Sequence, residues 1–255
     1  MMKLPVETLS ARAKRFAPFY HIVKPEGPGP FPTVIHFHGC GDSDGPQPSY
    51  AAAAAARGVA SILVNSFAPR GISLLEARLL ICTGMRLWGR ERAGDVLGAL
   101  HWAREQSWVD SARLGLAGWS HGAWSIMDAL ALGHACGPHA QLKDVPEDPF
   151  EGLKTAFLVY PWCGIGAQTL ARGWTKPIPT AFILALDDSL AGVTLPLKAA
   201  TRLSEAGCQV ETHIYPGATH SFDEETSVNP TFRYDAEQAR DAHSRFADWM
   251  ERFLV

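Results

Sequence analysis

The chain has 255 residues, of which 47% are hydrophobic and 19% charged, the balance of an ordinary globular protein with room for one large core. Its formal net charge of −3 gives no reason to expect nucleic acid, whose binders usually show a basic face, so no nucleic-acid partner is expected. The opening segment MMKLPVETLSARAKRFAPFY has no continuous apolar stretch that could form a signal-peptide core or cross a membrane, which predicts a cytoplasmic protein with no membrane partner.

Taken in chain order, apolar runs and helical patterns alternate from about residue 30 onward. Thr33 to His38 is a strand candidate, followed by a Gly/Pro/Asp-rich loop and a helix over Tyr50 to Arg57 with Gly58 as its C-cap. The run of alanines in that helix gives it a small face suited to close packing on a sheet. Val59 to Val64 reads as the next strand, and residues 66–90 as a long connection. Glu91 to Glu105 places Val96, Leu97, Leu100 and Ala103 on one helical stripe. Leu114 to Trp119 is a strand, Ala123 to Leu132 a helix, and residues 137–153 a polar surface excursion. Lys154 to Tyr160 and Thr180 to Leu186 are apolar runs of the kind buried on both faces. Leu195 to Ala206 is a helix, Gln209 to Tyr215 a strand, and an amphipathic helix carrying Ala239, Ala242, Phe246, Met250 and Phe253 closes the chain. This alternation predicts an α/β fold with a mostly parallel central sheet flanked by helices on both faces. No repeat or linker divides it, so residues 1–255 read as one domain.

Gly118-Trp119-Ser120-His121-Gly122 is a G-x-S-x-G motif set between an apolar strand and an apolar helix. That context is where a nucleophile elbow lies, with glycines two residues either side because the turn leaves no room for bulk. A serine nucleophile needs a base, and the base needs an orienting acid. His220 lies in the loop after the last strand, at the sheet edge where such folds hold their sites. Asp187 and Asp188, after the preceding strand, both qualify as the acid. The order Ser, Asp, His is that of α/β-hydrolases. The backbone N–H groups of His121, directly after the serine, and of Cys40, in the Gly-rich loop after the first of these strands, are the expected oxyanion donors.

Other residues carry weaker signals. His36 and His38 share a face of an extended strand and could form a metal pair, but Cys40 and Gly41 stand where further ligands would be needed, so no metal is expected. The cysteines Cys40, Cys82, Cys136, Cys163 and Cys208 are scattered, odd in number and lack CxxC spacing, which suggests neither disulfides nor zinc. Arg70, Trp119, Trp162 and Cys163 fall in loops or turns expected near a pocket. Arg70, held between Pro69 and Gly71, has two readings: a clamp for a substrate carboxylate, or an ion pair inside the fold.

The chain resembles the dienelactone hydrolase family of the α/β-hydrolases. The resemblance is carried by His38-Gly39-Cys40-Gly41, Asn65 to Gly71, Arg92 with Asp95, the segment Gly118 to Gly122, Leu186-Asp187-Asp188 and Pro216 to Asp223. It implies a hydrolase with a Ser/Cys-Asp-His triad and no cofactor. From the family's spacing it also implies Asp187 as the acid. Enzymes of the family that open dienelactones use a cysteine where this chain has Ser120. They also carry an arginine shortly after the histidine, where Asp223, Glu224 and Glu225 stand here. The expected activity is cleavage of a small-molecule ester or lactone through an acyl-enzyme. A peptidase or acyltransferase would use the same triad, and an inert binding protein on a hydrolase scaffold would be expected to lose part of it.

Overall fold

Seven strands form one sheet, in the computed structural model, and their polarity decides where chemistry can occur. The structure describes residues 4–41, 45–81, 85–227, 229 and 231–255. The strands are β1 (Tyr20–Val23), β2 (Phe31–Phe37), β3 (Ala60–Val64), β4 (Val109–Trp119), β5 (Leu153–Val159), β6 (Thr180–Ala185) and β7 (Val210–Tyr215), in the order β1-β3-β2-β4-β5-β6-β7. Among the described residues, only β1 is antiparallel to its neighbour; every other strand pairing is parallel. The C-terminal ends of β2 to β7 therefore gather at one edge, where the loops of an open α/β sheet build ligand sites. This is the α/β-hydrolase architecture that the sequence predicts.

The helices are α1 (Leu9–Phe16), α2 (Gln47–Ala55), a short α3 (Leu74–Glu76), α4 (Gly89–Arg104), α5 (His121–Leu132), the single turns α6 (Gly137–Ala140) and α7 (Thr169–Arg172), α8 (Thr194–Glu205) and α9 (Ala236–Leu254). Alternate strand residues divide the core in two. Ile35, Phe37, Leu114, Leu116, Phe182 and Leu184 face α1, α4, α5 and α8. Val34, Ala117, Trp119, Ala181 and Ile183 face α2 and α9. The amphipathic stripe of α9 supplies Phe246 and Met250, both fully buried, and each such side chain contributes about 1.5–3 kcal/mol. The alanines of α2 act as expected: Ala51 and Ala54 are buried, beside Tyr50, and let the helix lie close.

Five elements have no counterpart in the sequence prediction: α1, β1 and the short helices α3, α6 and α7. Helix α1 is short and rich in basic residues, and its register is set by Thr8, whose side chain accepts from the Ala11 N–H, and by the buried Arg12. The stretch 137–153, predicted to run over the surface, sends Leu142, Val145 and Phe150 into the core. Cys82 lies outside the described residues. Among the described residues no helix is long and apolar enough to cross a membrane.

Candidate active site

The turn from β4 into α5 places Ser120. Its backbone takes φ 51° and ψ −113°, which an L-residue adopts only under constraint from its surroundings. The Ser120 N–H donates to the Val159 carbonyl, and its own carbonyl accepts from Trp124 N–H. The flanking glycines are a steric necessity. A Cβ on Gly118 would sit 2.6 Å from the Ala123 nitrogen, and one on Gly122 would overlap the Phe37 carbonyl oxygen.

Ser120 Oγ lies 2.9 Å from His220 Nε2, and His220 Nδ1 lies 2.7 Å from Asp188 Oδ2. All three side chains are buried. Asp188 Oδ1 also accepts from the N–H groups of Leu190 and Ala191, each at 2.8 Å. Burial alone would raise the Asp188 carboxyl, but the hydrogen bond and charge of His220 and those two backbone donors hold it below the ordinary carboxylate range.

The expectation that Asp187 fills this place is corrected. Leu186 and Asp187 continue the strand register, donating to the carbonyls of Tyr215 and Ala218, and the Asp187 side chain is left exposed. The chain then turns, with Asp188 N–H reaching back to the Ala185 carbonyl, and this swings the next carboxylate under His220. One residue of turn decides which of two adjacent aspartates meets the imidazole.

Aromatic rings fix the imidazole plane. Tyr160 packs against His220 at a centroid distance of 4.6 Å and Phe232 at 5.1 Å. Behind Tyr160 lies a carboxylate whose role the sequence left unread. Asp223 is buried, accepting from Tyr50 Oη at 2.7 Å, Tyr160 Oη at 2.7 Å and Trp119 Nε1 at 3.2 Å. It ties together α2, the end of β5, the residue before the nucleophile and the histidine loop. Local sequence shows it only as the first of three acidic residues.

Above Ser120 opens a cavity of about 450 Å³, lined among others by Cys40, Ser120, Tyr160, His220 and Phe232. Cys40 lines this cavity, and His121 opens α5 directly after Ser120. Glu224, one of the acidic residues after His220, and Arg78, which the sequence did not single out, bring charge to the wall. Burial and the neighbouring Asp223 raise the Glu224 carboxyl.

The three expected substrate contacts fare differently. Trp119 borders the cavity, but its indole is buried with its N–H committed to Asp223. Trp162 does not line the cavity; it tilts against Trp124 and donates to the Ile165 carbonyl. Arg70 does not line it either. Its guanidinium makes two parallel bonds to Asp95, at 2.7 and 2.8 Å, and a third to the Ser66 carbonyl, so the internal ion pair is the correct reading. Cys163 is buried against Met127.

His36 turns one ring nitrogen to a protein partner and His38 both, while His36 Nδ1 is buried without one. His36 Nε2 lies 3.1 Å from Ser61 Oγ, with its ring stacked on Trp119, while His38 bonds the Gly39 carbonyl and the Ser66 N–H.

The model of the dienelactone hydrolase family matches residues 83–254, which include Ser120, Asp188 and His220. Similar folds occur in solved structures. A putative dienelactone hydrolase of Klebsiella pneumoniae is 16% identical with a TM-score of 0.68, over 92% of each chain. The dienelactone hydrolase of Anabaena variabilis is 17% identical with a TM-score of 0.61, again over 92% of each. A thermophilic esterase from Thermogutta terrifontis is 16% identical with a TM-score of 0.64, over 90% of this chain and 87% of that one. The likeness to these structures is one of fold, whereas the family match spans most of the sequence and the whole of the Ser-Asp-His constellation. The chain belongs to the dienelactone hydrolase family.

Proposed function

We propose that this hydrolase cleaves a small-molecule ester by acyl transfer through Ser120, with His220 as general base and Asp188 as the orienting acid. Membership in the family makes it a hydrolase acting on ester bonds. The single observation that carries the mechanism is the unbroken chain Asp188–His220–Ser120, at 2.7 and 2.9 Å, opening onto the cavity.

Ser120 Oγ attacks the ester carbonyl as His220 Nε2 takes its proton, and Asp188 holds Nδ1–H and stabilises the imidazolium that forms. The carbonyl π electrons move onto oxygen, where the backbone N–H groups of Cys40 and His121 receive the negative charge. His220 then protonates the departing alcohol. Water repeats the sequence on the acyl-enzyme, releasing the acid and restoring Ser120. Side chains and water supply every atom and proton that the scheme requires.

A fluorophosphonate probe tests this reading. Ser120 is expected to be the labelled residue, and Ser120→Ala to lose labelling together with about 10⁴–10⁶ of kcat on p-nitrophenyl esters. Labelling elsewhere, or retention of a tenth of wild-type turnover, would overturn it.

A further inference from the structure

The mechanism leaves unused a buried cluster of charged side chains. Three guanidiniums, of Arg12, Arg70 and Arg92, are buried together with two carboxylates, of Glu7 and Asp95. Glu7 pairs with Arg12, while Asp95 pairs with Arg12 and, through two bonds, with Arg70. Arg92 is fully buried on α4 and makes no ion pair within 4 Å among the described residues. Its Nε donates to Ser66 Oγ at 2.9 Å and its Nη1 to His121 Nδ1 at 3.2 Å; its Nη2 has no partner. Burial pushes its proton affinity down to about 10, with Asp95 opposing, so it remains charged at neutral pH. A buried charge whose hydrogen-bond acceptors are both neutral costs stability, offset here only in part by the Phe67 ring 5.4 Å from the guanidinium.

Its two acceptors lead to the two sides of the oxyanion pocket. His121, besides supplying one backbone donor, receives Arg92 on Nδ1 and so must carry its proton on Nε2, which donates to the Leu87 carbonyl at 2.6 Å. Ser66, gripped by Arg92 on its hydroxyl, donates its N–H to His38 Nε2 at 3.1 Å. His38 must then be protonated on Nδ1, which donates to the Gly39 carbonyl at 2.7 Å, one residue before Cys40. Both imidazoles are held neutral, chiefly by burial and then by the charge of Arg92, so neither switches its hydrogen bonds near neutral pH.

We propose that Arg92 is the positioning residue of the oxyanion pocket. It grips the segments bearing the Cys40 and His121 N–H groups through Ser66 and His121, and it sets an unpaired positive charge behind the point where the oxyanion forms. This rests on the serine mechanism proposed above and adds a residue that touches no substrate.

The test compares Arg92→Met, Arg92→Lys and Ser66→Ala with wild type. It uses p-nitrophenyl acetate and a trifluoromethyl ketone, which Ser120 Oγ adds to reversibly to form an oxyanion. Arg92→Met is expected to lower kcat about 10²-fold with KM changed less than about threefold, and to weaken the ketone by about the same factor as kcat/KM. Arg92→Lys, which keeps the charge but not both bonds, should recover part of the loss, and Ser66→Ala should lose about tenfold.

A folded Arg92→Met with wild-type kcat and ketone affinity overturns the proposal, as does a lower melting temperature with unchanged turnover per folded molecule. If Arg92→Met does not fold, Ser66→Ala with wild-type kcat and ketone affinity overturns it instead. Wild-type protein unlabelled by fluorophosphonate would sink the serine mechanism and this inference together. Labelled wild type beside unaffected variants sinks this inference alone.

Discussion

The loops that follow β6 and β7 each bury a carboxylate close to His220, and they surround it in opposite ways. Asp188 faces an imidazole and two backbone N–H groups, and in the proposed mechanism the imidazole gains charge when Ser120 gives up its proton. Asp223, three residues beyond His220, is closed in by two phenols and an indole that keep their protons throughout. Burial first, and then the charge of Asp223, raises both phenols well above their ordinary range. The same functional group thus serves a reacting partner in one loop and a static clamp in the other. What separates them is whether the donors can change charge.

The sharpest way to break this contrast is to neutralise each carboxylate in turn. Asp188→Asn keeps the shape but presents the wrong partner to His220 Nδ1, and kcat is expected to fall about 10⁴-fold. Asp187→Asn, at an exposed side chain, should stay within about twofold of wild type. A reversal of these two results would restore the acid expected from the family's spacing.

Asp223→Asn should reverse the emphasis. Hydrogen bonds to a charged acceptor contribute about 1.5–3 kcal/mol each, and an amide retains part of them. We expect unfolding free energy to fall by about 3 kcal/mol in urea titrations, while kcat of the folded protein stays within about tenfold. A 10⁴-fold loss of kcat without destabilisation would show that Asp223 takes part in the chemistry, and the contrast would collapse.

The smallest effect concerns His36, which stacks on the Trp119 that Asp223 holds. Burial lowers its proton affinity to about 3, against about 6.5 in an unfolded chain. Its contribution is whole above pH 6.5 and is lost as the pH falls toward 3, because the unfolded chain takes up the proton and the folded one does not. One such histidine steepens the fall in stability by about 1.4 kcal/mol per pH unit between pH 6 and 4. His36→Gln should flatten the measured slope by that amount. An unchanged slope would mean that His36 titrates in the folded protein and that the surroundings of Asp223 are not static.

Much of this was legible in the chain itself, for reasons that differ by element. Runs such as Ala181 to Ala185 are apolar throughout because a parallel sheet covered by helices on both faces leaves no polar side. Ser120 and His220 were legible because an elbow demands glycines at fixed offsets and the histidine follows the last strand. Asp188 was not, because the choice between neighbours depends on a turn closed by a bond from Asp188 N–H back to Ala185. Arg70 left two readings open because its partner, Asp95, lies 25 residues away on α4, beyond any local pattern. Strand β1 has only four residues and only partial burial, too little contrast to rise above its surroundings. Arg92 stood in a family motif, yet its lack of a carboxylate emerges only when the whole buried cluster is assembled.

The elbow has one more consequence. Ser120 is held by its main chain, with the Val159 carbonyl on one side, the start of α5 on the other, and Gly122 pressed against the β2 backbone. The contacts that fix its Cα stop at the main chain, before the reactive atom begins. Which element sits at the γ position is thus an interchangeable part: an oxygen here, a sulfur in the dienelactone-opening relatives that the sequence resembles. A lineage built on this turn could exchange one nucleophile for the other by a single codon change and leave the scaffold as it was, so reactivity and architecture would drift independently.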